Sequence, residues 1–146
     1  MSVAPAVILR SAYQSDLPAI AGIQQASGQA AQWNPADYLN YDCRVAWLNN
    51  RVVGFVVSRR TAPDECEVLN VAVDPSLRRQ GIARALLNAA LYPPAPTTQD
   101  RWYLEVRESN QVAISLYRAA GFRSAGRREN YYSDPPEAAI VMVLKS

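Results

Sequence analysis

A chain of 146 residues with 49% hydrophobic and 19% charged side chains can bury a core without disulfides or metal staples, and its length fits one domain spanning residues 1–146. The net charge of +2 gives no bulk attraction to nucleic acid or to a membrane surface, so any anion site has to be local. With no histidine, two cysteines and Lys145 as the sole lysine, the composition excludes Ser-His-Asp and Cys-His catalysis, ordinary zinc sites and a Walker A phosphate loop.

Residues 7–9 read as a short opening strand. Ser15-Asp16-Leu17-Pro18 starts a helix, with capping side chains ahead of a proline tolerated in the first turn; Ile20 and Ile23 continue it, and the pattern decays at Ser27-Gly28. Trp33-Asn34-Pro35 turns into a second short helix carrying Tyr38 and Leu39. Residues 43–48 and 52–58 are β-rich runs joined by Asn49-Asn50-Arg51, a hairpin signal because asparagine tolerates positive φ. After a turn at Pro63-Asp64, residues 67–73 form another strand, ended by Asp74-Pro75.

Ile82, Leu86, Leu87, Ala90 and Leu91 then fall on one face of a 3.6-residue period, and Pro93 and Pro94 stop that helix. Residues 102–106 read as a buried strand. Ser109 is expected to cap the next helix, whose inner face carries Val112, Ala113, Leu116, Tyr117 and Ala120, with Gly121 as a left-handed cap. Strands at residues 122–128 and 138–144 close the chain. The order β-α-α-β-β-β-α-β-α-β-β predicts an α/β fold (an α+β mixed sheet): a central mixed, twisted sheet flanked by helices. No apolar run approaches the roughly 20 residues that cross a bilayer, and the start lacks a signal-peptide pattern. A soluble cytoplasmic protein with reduced Cys43 and Cys66 is expected.

The most informative stretch runs from the strand Val71-Ala72-Val73 through Arg78-Arg79-Gln80-Gly81 into the helix starting Ile82-Ala83-Arg84. First-turn amides have no partner within a helix, and small residues let an anion approach them. Arg78, Arg79 and Arg84 add positive charge where the helix dipole is already positive, a cost that a bound anion offsets. The bland alternative is a solvated basic face.

The segment resembles the acetyl-CoA pyrophosphate loop of the GNAT superfamily of N-acetyltransferases, R/Q-x-x-G-x-G/A, with Ala83 at the last position. Leu104-Glu105-Val106-Arg107-Glu108-Ser109-Asn110, Ala113-Ile114-Ser115-Leu116-Tyr117 and Ala120-Gly121-Phe122 resemble the signature of the RimI-type ribosomal-protein-alanine N-acetyltransferases. Arg127-Arg128-Glu129-Asn130-Tyr131-Tyr132 is similar to that group's RRxNYY loop. The resemblance implies the GNAT fold and an acetyl-CoA-dependent N-α-acetyltransferase, in which a protein's terminal amine attacks the thioester directly in a ternary complex. The acceptor it implies is the N-terminal alanine of a small-subunit ribosomal protein.

By this resemblance Glu105 is the general base and Tyr117 the general acid. Val71, Ala72, Val73, Arg78, Arg79, Gln80, Gly81, Ile82, Ala83, Arg84 and Asn110 bind the cosubstrate, with the Val73 N–H as oxyanion donor. Trp33, Glu67, Tyr131 and Tyr132 contact the acceptor, Glu67 doubling as reserve base. No metal, nucleic acid or membrane partner is expected, and the chain is read as a monomer or weak homodimer. A lone carboxylate suits an α-amine of pKa about 8, whereas a lysine ε-amine costs about 3 kcal/mol more to deprotonate.

Without the resemblance, Tyr117 reads as a core residue, Glu105 as an edge charge or partner of Arg107, and Asn110 as a helix cap. Adjacent Tyr131 and Tyr132 would point to opposite sides of a regular strand, leaving one to face a peptide. Alternatives are the same chemistry on a small-molecule amine or other protein N-termini, and a non-catalytic acyl-CoA-binding regulator.

Overall fold

The computed structural model describes residues 6–28, 33–92, 101–133 and 135–144. The proline stop expected at Pro93 and Pro94 lies outside them. Seven strands, β1 (Ile8–Ser11), β2 (Asp42–Leu48), β3 (Arg51–Ala62), β4 (Glu65–Val73), β5 (Arg101–Arg107), β6 (Arg123–Ser133) and β7 (Pro136–Leu144), form one sheet in the order β1-β2-β3-β4-β5-β7-β6. Only β4 and β5 pair in parallel; every other neighbouring pair is antiparallel. The α-helices are α1 (Leu17–Ala26), α2 (Ile82–Leu91) and α3 (Gln111–Ala119). The expected second helix is a 3-10 helix, Pro35–Asn40, capped by the Asn34 side chain on the Ala36 amide. Among the described residues, no helix is long and apolar enough to cross a membrane.

The sheet is covered on both faces, which explains the unbroken burial of β3 from Val52 to Ser58. Phe55 and Val57 pack with Ile20 and Ile23 of α1, while Val53 and Val56 pack with Ile82, Leu86 and Ala90 of α2. Helix α3 lies on the α2 face: its Ile114 and Tyr117 join Leu87, Leu91, Leu104, Val106 and Met142 in one cluster. The hairpin between β2 and β3 turns at Asn49 and Asn50, both at positive φ (52° and 64°). Gly121 at φ 105° ends α3 as expected.

Two helix expectations change. The cap of α3 is Asn110, whose side chain accepts from the Ala113 N–H, while Ser109 donates its own amide to Glu137 Oε2. Val112, expected on the inner face, is 77% exposed, and Ile114 takes its place in the core. Ala113, Leu116, Tyr117 and Ala120 keep their expected places against the core.

Gly54 sits where α2 crosses β3. A Cβ there would lie 3.1 Å from Leu86 Cδ1, Val73 Cγ2 and the Ala72 carbonyl. Gly54→Val should therefore destabilise the fold by about 1–3 kcal/mol, read as a lower midpoint in chemical denaturation. A midpoint equal to the parent's would show that α2 can retreat without loss.

Candidate active site

Parallel pairing of β4 with β5 covers only Glu65↔Arg101, Cys66↔Trp102 and Glu67↔Tyr103, although both strands run on. Beyond that point the register of β4 against β3 jumps from Ser58↔Val68 to Val57↔Asn70, so Leu69 is an extra residue. Such a bulge bends its strand and increases its twist, and here it turns β4 away from β5. The split leaves one edge of β4 without a neighbouring strand among the described residues. The Asp74 amide donates to the Val53 carbonyl on the β3 side, and by strand alternation the amides of Val73 and Val71 point into the split.

A cleft of about 810 Å³ fills this opening. Val71, Ala72, Val73, Arg78, Arg79, Gly81, Ile82, Ala83, Arg84, Glu105, Asn110, Tyr117 and Tyr132 all line it. Gln80, Trp33, Glu67 and Tyr131 do not.

At one end stands the N-terminus of α2. Gly81 caps it at φ 79° and has no side chain to bond the first-turn amides, and Arg79 is also left-handed at φ 64°. The approach is anchored by Asp74, which accepts from the Ser76 amide and from Arg51 Nη1 at 2.8 Å. These contacts hold the Asp74 carboxyl at about 2, well below its ordinary value, with the Arg51 hydrogen bond as the largest cause. Arg78 reaches across to the Ser27 hydroxyl at the end of α1, 3.3 Å away. The amides, arginines and glycine together fit a pyrophosphate group.

At the other end is Glu105. Leu104 and Val106 face α2 and α3, so strand alternation turns Glu105 to the opposite face. Its Oε2 is buried and has no hydrogen-bond partner among the described residues. Arg107 is not its ion-pair partner, because that guanidinium turns to Glu137 at 3.3 Å and stacks 4.3 Å from the Tyr132 ring. The nearest cation is Arg128 on β6, 3.6 Å from Oε2 and too long for a hydrogen bond.

Tyr117 approaches from α3 on the other face, packed edge-on to Phe122 and only 6% exposed. Burial pushes its hydroxyl pKa upward, so it stays protonated. Glu105 and Tyr117 thus meet through the sheet split from opposite sides.

Glu67 shares the face of Glu105 but is bound twice through Oε1 by Arg59, at 3.0 and 2.9 Å. It sits at the last paired rung, short of the opening. Trp33 is half exposed, and its carbonyl accepts from Gln24 Nε2 at 2.6 Å. Gln24 also accepts from Tyr38 and Asn70, a buried polar cluster that ties α1, the 3-10 helix and β4 together behind the cleft.

Tyr131 and Tyr132 do not point simply to opposite sides. Asn130 at φ 53° and a register shift between Arg128 and Tyr132 bring their rings edge to face at 5.0 Å. Tyr132 lines the cleft, while Tyr131 lies 41% exposed beyond it. The Tyr131 hydroxyl is pushed upward by burial, then by the charges of Glu105 and Glu67.

Residues 9–122 match the model of the acetyltransferase (GNAT) family. The chain belongs to the GNAT acetyltransferases. It is 36% identical over 140 residues to the ribosomal protein bS18-alanine N-acetyltransferase of Escherichia coli K12, covering 89% of this chain and 91% of that one. The crystal structure of the ribosomal-protein-S18-alanine N-acetyltransferase from Escherichia coli matches with a TM-score of 0.80 at 33% identity, over 95% of this chain and 93% of that one. Ard1 from Thermoplasma volcanium matches with a TM-score of 0.84 at 28% identity, over 99% and 100%. This chain is an N-acetyltransferase with the RimI-type resemblance borne out.

The sequence reading of this acetyltransferase missed the Ser27–Arg78 contact, the Asn70 cluster and the place of Arg128 beside Glu105. The helix decay at Ser27-Gly28 and the Arg127-Arg128 pair marked the positions, but nothing local showed what they face.

Proposed function

We propose that this enzyme transfers acetyl from acetyl-CoA to the α-amine of a protein N-terminus, by direct attack in a ternary complex. The acceptor is the N-terminal alanine of a small-subunit ribosomal protein in the cytoplasm. The observation that carries this is the buried Oε2 of Glu105, without a hydrogen-bond partner among the described residues, opening on a cleft whose far end fits a pyrophosphate. The identity to the Escherichia coli bS18-alanine enzyme supports the choice of acceptor.

Arg78, Arg79, Arg84 and the amides from Gly81 to Arg84 hold the pyrophosphate, with Asn110 as a further contact. Bound acetyl-CoA supplies the thioester carbonyl that accepts the amine. Glu105 takes one proton from the acceptor nitrogen, directly or through a water. The nitrogen lone pair forms the new C–N bond, the C–S bond breaks, and the nitrogen's second proton ends on the CoA thiol. The Val73 N–H, free on the split edge of β4, donates to the carbonyl oxygen as it becomes negative. Tyr117 donates a hydrogen bond to the departing sulfur. Tyr132 and Tyr131 border the acceptor peptide, Glu67 holds Arg59 at the acceptor face, and Trp33 stands at its outer side.

Acetyl transfer is measured to an Ala-initiated peptide of ribosomal type, and to the same peptide N-terminally blocked with an internal lysine. Transfer to the free terminus alone is expected. Equal transfer to the blocked peptide would overturn the N-α reading, and transfer to neither would overturn the choice of a peptide acceptor.

A further inference from the structure

Arg128 stands apart from the other arginines of the acceptor side. Arg59 is bound to Glu67 through two short contacts, and Arg107 is held by Glu137, the Pro135 carbonyl and the Tyr132 ring. The Arg128 side chain is 61% exposed, stacks loosely at 5.7 Å on the Tyr131 ring, and reaches Glu105 only at 3.6 Å. Its partner is the opposite in character: a carboxylate oxygen buried at the opening of the cleft. Exposed ion pairs are usually worth little, but a buried carboxylate oxygen without a hydrogen bond is sensitive to whatever cation is near.

The groups around Glu105 define its surroundings. From β6 come Arg128, Tyr131 and Tyr132; from β4 comes Glu67, neutralised by Arg59 of β3; from α3, sharing the cleft, comes Tyr117. Strand β7 places apolar Val141 opposite, and Arg107 on Glu105's own strand is turned to Glu137. Arg128 is thus the guanidinium nearest to Glu105 that is not already held by a carboxylate.

We infer that Arg128 is a displaceable counter-ion: its guanidinium holds the Glu105 carboxylate in the resting enzyme and yields its place to the ammonium of the acceptor. This deepens the proposed function and rests on Glu105 as the base. The exchange conserves charge, one cation replacing another beside the carboxylate. Arg128 keeps its contact with the Tyr131 ring when it leaves the carboxylate. The incoming α-ammonium, smaller than a guanidinium, reaches Oε2 within hydrogen-bond distance and can pass its proton there. Arg128 is a positioning residue and touches no reacting atom.

The test compares Arg128→Ala, Arg128→Lys and Glu105→Gln with the parent enzyme, using acetyl-CoA and an Ala-initiated peptide across pH 5–10. For Arg128→Ala the acceptor KM at neutral pH should fall about three- to ten-fold with kcat little changed, because a competitor for the carboxylate is gone. Arg128→Lys should restore the KM toward the parent's. A parental KM in Arg128→Ala, with Glu105→Gln inactive, would overturn the counter-ion role and leave the base assignment standing. Full turnover in Glu105→Gln would overturn both. Circular dichroism and acetyl-CoA affinity identify a folding defect, and in that event Arg128→Lys decides: parental behaviour supports the role, whereas a lowered KM overturns it.

Discussion

Replacing Glu105 with Gln should lower acetyl transfer to an Ala-initiated peptide by about 10²- to 10⁴-fold while acetyl-CoA affinity stays close to the parent's. The amide keeps the size and placement of the side chain on β5 but cannot accept the acceptor's proton. Oε2 makes no hydrogen bond to any described residue, so the substitution breaks none there, and the one ion pair it weakens is the 3.6 Å contact with exposed Arg128. The deficit should be largest below the α-amine's ordinary pKa of about 8 and narrow above it, where the amine is already neutral. Steady-state kinetics against pH, with cosubstrate affinity from calorimetry, checks both parts. An unchanged rate at neutral pH would remove Glu105 from the reaction.

Tyr117→Phe should slow transfer by about ten- to a thousand-fold, again with the fold intact. The ring fills the core beside Phe122 and Ile114, and phenylalanine preserves that packing while deleting only the hydroxyl. Burial raises the hydroxyl's pKa above that of an ordinary tyrosine, and an ordinary thiol sits near 8.5. Complete proton transfer from Tyr117 to a departing thiolate is therefore uphill, and its contribution is hydrogen-bond donation to the developing negative charge. The same shift keeps the tyrosine neutral well into the alkaline range, so it should add no alkaline limb to the pH profile. Parental activity in Tyr117→Phe would return the residue to the core alone.

Both predictions rest on a geometry that one dimension of sequence shows only in part. Glu105 and Tyr117 are twelve positions apart on different elements and reach the cleft from opposite faces of the sheet, which is possible only because β4 leaves β5 after Tyr103. Nothing at Leu69 announces the bulge that causes this. This bulge carries no glycine to mark it and is a mismatch in register that neither strand shows alone.

Much was legible locally because its causes are local. The period of α2, the Asn49-Asn50 turn, the left-handed Gly121 and the element order follow from side-chain spacing and backbone preference within a few residues. The loop from Arg78 to Arg84 belongs here too, since unpaired first-turn amides and small residues are properties of one strand-to-helix connection. The errors were local as well. Ser109 and Asn110 are both good caps, and only the contact of the Ser109 amide with Glu137 from a distant strand decides between them.

What the tertiary structure alone decided is which charge meets which. Sequence proximity offered Arg107 to Glu105, and the fold gave Arg107 to Glu137 and Arg128 to Glu105. It also took Glu67 out of the opening by pairing it with Arg59 on the neighbouring strand. Coulomb energy depends on distance through space, and in a sheet the nearest charges come from adjacent strands whose register is set by hydrogen bonds and core packing. The amino-acid sequence therefore determined the elements, the basic loop from Arg78 to Arg84 and the family. The partners of Glu105, and with them the accessibility of its carboxylate, were decided only when the strands were aligned.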